Sequence, residues 1–282
     1  MEKSIPISSG ADKMNLQLPE IYAVSAGKRG FALIINNFEF DDITKNLPGG
    51  KQDSVRLKET FEGLQFIVEL KENLSGTEIE SRIIAYSQYE TLSRYNCFVC
   101  VLSSHGAYDK LIGRDGAQVH LPTVLGTILN CKYLIGQPKL FFIDACRNLD
   151  PHFNLEIPLP YPDYMICYSA LPGTSAYMMN GTTDRFEGSR FIKSMCDVLC
   201  EYGEDEQLAH LLIRIKKAVN DKNGHVEYEQ NVQSRDSLTK RCFFKPGKWI
   251  CEVCYSCIDT DVCLQCKPTS NTEGMNSRTT TS

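Results

Sequence analysis

The segment KLFFIDACRN, residues 139–148, decides how the rest of this chain is interpreted. Its apolar residues follow one another without polar interruption, a pattern typical of a strand that is buried on both faces of a sheet. The run ends in Asp144, and a thiol follows two residues later at Cys146. Cys146 is therefore either one more small buried side chain or a nucleophile at the tip of a strand, and the remaining sequence must distinguish the two.

The composition excludes several classes of protein. The chain has 282 residues, of which 42% are hydrophobic, and this is enough for one large core. A net charge of −5 gives no electrostatic case for nucleic acid as the main partner. No apolar run is long enough to span a membrane, and the N-terminus lacks the apolar segment of a secretory signal. We therefore expect a cytoplasmic protein with reduced cysteines.

Predicted strands and helices alternate along the chain. Apolar runs predict strands in GFALIINNF (30–38), FIVELKEN (66–73), NCFVCVLSS (96–104), KLFFID (139–144), DYMICYSA (163–170) and RDSLTKRCFF (235–244). Helical spacing of apolar residues predicts helices in KQDSVRLKETFEGL (51–64), LSGTEIESRIIAYSQ (74–88), LPTVLGTIL (121–129), EGSRFIKSMCDVLCEYG (187–203) and EQLAHLLIRIKKAVN (206–220). Such alternation predicts an α/β fold, with a mostly parallel sheet that is covered by helices on both faces.

A histidine follows one predicted strand end and a cysteine follows another. His105 comes after the strand at 96–104, and Cys146 comes after the strand at 139–144. Ligands of open parallel sheets bind at the carboxyl ends of the strands, where both residues lie. A nearby base turns a thiol into a strong nucleophile. The backbone N–H groups of Gly106 and Cys146 could then hold the oxyanion of an acyl-transfer intermediate.

Five stretches follow one another as they do in caspases. They are GFALIINN, FVCVLSSHG, KLFFIDACRN, YSALPG and GSRFIKSMCDVL, and the chain resembles that family from about Lys28 to Phe244. The resemblance implies a six-stranded twisted sheet and a cysteine endopeptidase of apoptosis or a related pathway. His105 would be the catalytic histidine, Cys146 the nucleophile and Gly106 the oxyanion-hole glycine, with no cofactor. It also implies protein or peptide substrates and a homodimer, or a heterodimer with a caspase, through the strand near 236–244.

The resemblance also divides the chain into parts. We expect a short flexible leader at 1–27, a caspase-like peptidase domain at 28–246, a Cys-rich tail at 247–267 and a disordered end at 268–282. Within the domain, the large-subunit part is 28–148, the connector is 149–165 and the small-subunit part is 166–246. The leader is as short as that of an effector caspase. The connector is short and Pro-rich, so we expect that cleavage between the subunits is absent or not needed.

The pocket for the substrate residue before the scissile bond, P1, departs from the family. Caspases hold a P1 aspartate with two arginines and a glutamine, and their places are taken here by Leu47, Met178 and Asp144. This set offers no positive charge and adds a negative one, so an aspartate would be repelled; nearby Arg185 is the one candidate that could restore a positive charge. Metacaspases and paracaspases, which cut after Arg or Lys, also carry Asp-x-Cys here. We therefore expect a P1 preference for basic or neutral residues; the alternative is a weakly active or inactive homologue that regulates a true caspase by dimerisation.

The 13 cysteines fall into two groups. Those between Cys97 and Cys242, apart from Cys146, are interpreted as core or incidental residues. The tail contains Cys251, Cys254, Cys263 and Cys266, two C-x2-C pairs separated by eight residues. Paired thiolates of this kind can hold structural Zn²⁺ tetrahedrally. The alternative is a flexible tail whose thiols are free, oxidisable or lipid-modified.

Overall fold

Secondary structure in the described part of the chain follows the predicted alternation of strands and helices. The computed structural model describes residues 20–22, 30–148, 159–180, 186–222, 229–244, 249–250 and 257–258. Its strands are β1 (Phe31–Asn36), β2 (Ile67–Glu72), β3 (Phe98–Ser103), β4 (Gly106–Ala107), β5 (Lys110–Ile112), β6 (Gln118–His120), β7 (Lys139–Asp144), β8 (Tyr164–Tyr168), β9 (Met178–Asn180), β10 (Phe186–Ser189), β11 (Gln233–Asp236), β12 (Trp249–Ile250) and β13 (Cys257–Ile258). Its α-helices are α1 (Gly50–Gly63), α2 (Gly76–Ser87), α3 (Leu121–Leu129), α4 (Arg190–Tyr202) and α5 (Leu208–Asp221).

The central sheet has the strand order β11-β8-β7-β3-β1-β2. Five of these strands are parallel, and β11 runs antiparallel to β8 at one edge. The prediction of a mostly parallel, six-stranded α/β sheet is confirmed. A small sheet of β4, β5 and β6 follows β3 directly, which the sequence patterns did not indicate.

Alternate residues of each central strand enter two separate cores, because successive side chains point to opposite faces of a sheet. On β7, Leu140 and Phe142 pack with α1, α4 and α5, whereas Phe141 and Ile143 pack with α2 and α3. All four side chains are at most 1% exposed. Burial on both faces explains why residues 140–143 are apolar without interruption.

The last strand of the sheet is shorter and lies earlier than predicted. We expected a strand over 235–244, with a dimer contact near 236–244, but β11 covers only Gln233–Asp236. Asp236 accepts a hydrogen bond from the Leu238 N–H through its own carboxylate (3.2 Å), a local bond that turns the backbone out of the strand. The apolar residues Phe243 and Phe244 are buried without being part of a strand.

Part of the predicted leader packs on the domain. Tyr22 is 4% exposed, and its backbone N–H donates to the Arg241 carbonyl (3.0 Å). Its hydroxyl donates to Asp163 Oδ1 (2.6 Å), a carboxylate that also accepts from the Thr239 hydroxyl (2.7 Å). The packed structure therefore extends before residue 28. The predicted disorder at 268–282, and residues 149–158 of the predicted connector, lie outside the described residues.

No helix in the described ranges combines the length and apolar character that crossing a membrane requires.

We predict that Tyr22→Phe lowers the free energy of unfolding by about 1.5 kcal/mol, because a buried hydrogen bond to a carboxylate is lost. Chemical denaturation of the full chain measures this. Tyr89→Phe, at a ring that is 48% exposed, is the matched control and should change stability by less than about 0.5 kcal/mol. Equal effects of the two substitutions would show that residues 20–22 are not held in place by this contact.

Candidate active site

The tips of β3 and β7 place His105 beside Cys146. The two strands are parallel neighbours, and their register pairs Ser103 with Asp144. His105 and Cys146 each follow by two residues, so they occupy equivalent positions past the same edge of the sheet. Both side chains are half-buried and line one pocket. The structure therefore brings the two predicted catalytic residues together.

The ring of His105 is fixed by the backbone of a short 3-10 helix, Ile43–Lys45. Its Nε2 lies 2.7 Å from the Lys45 carbonyl oxygen, and its face packs on Phe40 at 4.9 Å between ring centroids. A carbonyl oxygen can only accept, so Nε2 carries the hydrogen in the neutral ring. Nδ1 then keeps its lone pair and is the nitrogen that can act as a base.

Gly106 lies against the segment that carries the thiol. A Cβ atom added to Gly106 would come within 2.7 Å of the Ala145 Cβ and 3.0 Å of the Cys146 carbonyl oxygen. Only glycine fits there without moving one of the two segments. This close approach is what the predicted oxyanion-hole role of Gly106 requires of the backbone.

Arg147 anchors the segment that follows the thiol. Its side chain is buried, donates to the Ala170 carbonyl (3.3 Å) and to Gln233 on β11, and stacks on the Tyr168 ring at 3.9 Å. Its backbone N–H donates to the Thr174 carbonyl (2.9 Å). Cys146 is thus held from its C-terminal side by the small-subunit part. The sequence signal for this role was the position of Arg147 directly after the thiol.

The three residues that we placed in the P1 pocket from the sequence lie around one pocket with the dyad. Leu47, Asp144 and Met178 all line it, as do His105 and Cys146. Among the described residues that line this pocket, none is an arginine or a lysine. The pocket also contains Asp53, on the first turn of α1, which the sequence analysis did not identify.

Two carboxyl groups in this pocket, those of Asp53 and Asp144, have raised pKa values because they are buried. Burial raises the pKa of Asp53 to about 8, and the charge of Asp144 also raises it. The hydrogen bond from the Ser189 N–H (2.7 Å) and the contact with Arg56 (3.0 Å) act in the opposite direction and lower the pKa. Burial likewise raises the pKa of Asp144, against the effect of the Ser189 and Ser169 hydroxyls. Among the described residues, Oδ1 of Asp144 has no hydrogen-bond partner.

A glycine makes the position of Asp53 possible. Gly188 has φ of 89°, a left-handed conformation that favours glycine. A Cβ atom at this position would lie 2.2 Å from Asp53 Oδ1. The chain can therefore deliver the Ser189 N–H to Asp53 only because residue 188 has no side chain.

Comparison with known proteins agrees with this geometry. The family model of the caspase domain matches residues 29–243. The chain is 30% identical to caspase-7 of Gallus gallus over 241 residues, which cover 77% of this chain and 76% of the relative. It is 31% identical to caspase-3 of Mesocricetus auratus over 233 residues, which cover 77% and 81%. The chain belongs to the caspase family.

The other cysteines of this caspase domain differ from Cys146 in their surroundings. Burial raises the pKa of Cys167 and Cys196 to about 12, and that of Cys100 further still. A buried neutral thiol is a poor nucleophile, as expected for core residues. Cys200 is exposed on α4. Cys146 is the half-buried cysteine that faces the pocket.

We predict that Gly106→Ala lowers the free energy of unfolding of this caspase domain by about 2 kcal/mol, because a methyl group must enter an occupied space. Gly126→Ala on α3 is the control, since its Cβ would meet nothing within 4 Å. A helical glycine replaced by alanine should gain up to about 1 kcal/mol. Urea denaturation of both variants measures the difference, and the same sign of change in both would contradict the packing described for Gly106.

The predicted zinc ligands Cys251, Cys254, Cys263 and Cys266 lie outside the described residues, and the site stays a prediction. Metal analysis of the purified full chain should find about one zinc per chain, as expected for a single tetrahedral site. Cys251→Ser and Cys263→Ser should each remove the metal, whereas Cys257→Ser, at the fifth thiol of the tail, should retain it. Zinc-free wild-type protein after purification without chelators would refute the site.

Proposed function

We propose that this chain is a cysteine endopeptidase in which Cys146 is the nucleophile and His105 the general acid and base. The observation that carries this proposal is the placement of both side chains, by the β3–β7 register, in one pocket. The fixed tautomer of His105 adds to it, because it leaves Nδ1 available to the thiol. Peptide-bond hydrolysis by such a pair needs no cofactor.

The chemistry follows from the positions of these groups. His105 accepts the thiol proton, and the Cys146 sulfur attacks the carbonyl carbon of the scissile bond. The N–H groups of Gly106 and Cys146 stabilise the oxyanion that forms. The protonated His105 then donates to the leaving amine, and water hydrolyses the thioester. Cys146 Sγ lies 3.7 Å from the Ala176 carbonyl oxygen.

The preferred P1 residue is basic or neutral rather than aspartate. An aspartate side chain in this pocket would meet Asp53 and Asp144, and no arginine or lysine is among the described residues that line it. Two buried carboxyl groups would repel a third and would leave it without a partner. Arginine or lysine instead brings a positive charge to Asp144, whose Oδ1 has no partner among the described residues, and a neutral side chain avoids the repulsion.

We also propose dimerisation through β11, at the edge of the central sheet. Gln233 on this strand accepts a hydrogen bond from Arg147, the residue next to the nucleophile. Pairing of a second chain along β11 would therefore fix the segment that positions Cys146. The second chain would be a copy of this protein or a caspase. The eight free cysteines from Cys97 to Cys242 are consistent with a reducing compartment such as the cytoplasm, where a role in apoptosis or a related pathway is expected.

The link between β11 and Arg147 also favours a second function, that of a regulatory homologue. A chain that pairs with a caspase through β11 could alter its partner's site without cutting peptides itself. In that case Cys146 would stay unlabelled by peptide electrophiles with a basic P1 residue, and the chain would co-purify with a caspase. Labelling of Cys146 in the isolated chain favours the peptidase.

A positional-scanning peptide library should show cleavage after arginine, lysine or neutral residues by the wild-type chain. The cause is the charge of the pocket, which disfavours an anionic side chain. Cys146→Ala should abolish the activity and is the control for contaminating peptidases. Efficient cleavage after aspartate alone would refute the proposed preference.

Asp144→Asn should lower kcat/KM for a P1-arginine peptide about 50-fold more than for the same peptide with neutral citrulline, because a charge-assisted contact of about 1–3 kcal/mol is lost. Asp197→Asn, an exposed carboxylate on α4, is the matched control and should affect both peptides alike. Equal losses for both peptides in Asp144→Asn would mean that Asp144 does not bind the cation.

A further inference from the structure

The P1 pocket contains two buried carboxyl groups, whereas a cationic P1 side chain carries one positive charge. Asp53 is 2% exposed and Asp144 is 6% exposed, and both line the pocket. Asp53 already has partners, since Arg56 lies 3.0 Å from Oδ1 and the Ser189 N–H lies 2.7 Å from Oδ2. Oδ1 of Asp144 is buried and has no partner among the described residues. An ionised Asp144 would therefore be a buried charge that only the Ser189 and Ser169 hydroxyls stabilise.

The groups that face this acid pair come from four elements and from Tyr177, which precedes β9 and also lines the pocket. α1 contributes Arg56, which stays charged, and α4 contributes Cys196, whose pKa burial raises to about 12, so it stays neutral. His105 follows β3 and Cys146 follows β7. One arginine thus offsets one of the two carboxylates. Burial raises the pKa of both acids, and the charge of Asp144 raises that of Asp53 further.

We propose that the Asp53–Asp144 pair holds one proton in the empty pocket and that a cationic P1 side chain displaces this proton to solvent. The O–H bond of the protonated carboxyl group breaks, its proton passes to the buffer, and the carboxylate forms an ion pair with the guanidinium or ammonium group. A neutral P1 side chain binds to the protonated pair and releases nothing. The inference rests on the proposed function. It adds that binding of a cationic P1 side chain is coupled to the release of one proton.

The direction of the pH effect follows from this exchange. Below the raised pKa of the pair, binding of a cation must release a proton, so its affinity increases with pH. Above that pKa the empty pocket is already ionised, and the affinity for the cation no longer changes. Exchange of one proton limits the slope to about tenfold per pH unit. The pKa of about 8 for Asp53 places the change at neutral pH and below.

The test compares two peptides that differ only at P1, where one has arginine and the other has citrulline, a neutral side chain of the same shape. The full-length wild-type chain is assayed with both between about pH 6 and 8.5. Any pH effect on the attack at the scissile bond is common to both peptides and cancels in the ratio of their kcat/KM values. The ratio of arginine to citrulline should rise at least about tenfold over this range, within the one-proton limit. In Asp144→Asn the ratio should be flat.

The possible results separate this inference from the function on which it rests. Cleavage of the arginine peptide with a ratio that does not change with pH overturns the proton exchange and leaves the peptidase intact. Lack of cleavage of either peptide at every pH overturns the proposed function and the inference with it.

Calorimetry of the wild-type chain gives an independent measurement, which is needed because substitution of Asp53 would also remove its contacts with Arg56 and the Ser189 N–H. A peptide aldehyde with P1 arginine is titrated in two buffers of different ionisation enthalpy at about pH 7, and the citrulline aldehyde is the control. Both aldehydes add to Cys146 in the same way. The arginine aldehyde should release between about half a proton and one proton more than the citrulline aldehyde. Equal release by the two would overturn the proposal.

Discussion

The parallel register between β3 and β7 is the constraint on which the functional site depends. Because Ser103 is paired with Asp144, the segments that follow β3 and β7 leave the sheet side by side. His105 and Cys146 follow at the same distance from that pair. A slip of one residue would turn every side chain of β7 to the opposite face, where it would have to pack in the other core. Burial of β7 in two cores therefore fixes the register and, with it, the catalytic pair.

The same strand that delivers the nucleophile also sets the charge of the P1 pocket. Asp144 is the last residue of β7 and lines the same pocket as Cys146. Its carboxyl group enters the pocket beside Asp53 of α1, which is held by Arg56 and by the Ser189 N–H. In the function that we propose, the dyad keeps the chemistry of the caspase family, whereas these acids change the P1 side chain that the pocket accepts. In this proposal, catalysis depends on the thiol of Cys146 and specificity depends on the charge of Asp144, two residues earlier in the chain.

The sequence was informative where a feature depends on local pattern. The strands that are buried on both faces appear as unbroken apolar runs, and the residues of the dyad follow two of them directly. Asp53 was missed because an acid in the first turn of a helix is ordinary in sequence. Its burial depends on Gly188 and Ser189, which are more than a hundred residues away.

The end of β11 and the docking of Tyr22 were missed for related reasons. Phe243 and Phe244 follow a polar segment and suggested that the strand continues, but the hydrogen bond from Leu238 to Asp236 ends it. Tyr22 is held by Asp163, 141 residues along the chain, and its own neighbours give no sign of the contact. Long-range polar contacts of single residues leave no periodicity, so sequence patterns do not reveal them.

We propose that Cys146 is the nucleophile and that the adjoining P1 pocket binds a cation. Mass spectrometry of the full-length chain after treatment with two peptide acyloxymethyl ketones, which differ only in lysine or aspartate at P1, tests it most directly. We expect a covalent adduct on Cys146 with the lysine peptide and none with the aspartate peptide. An adduct on Cys146 that forms only with the aspartate peptide would contradict it.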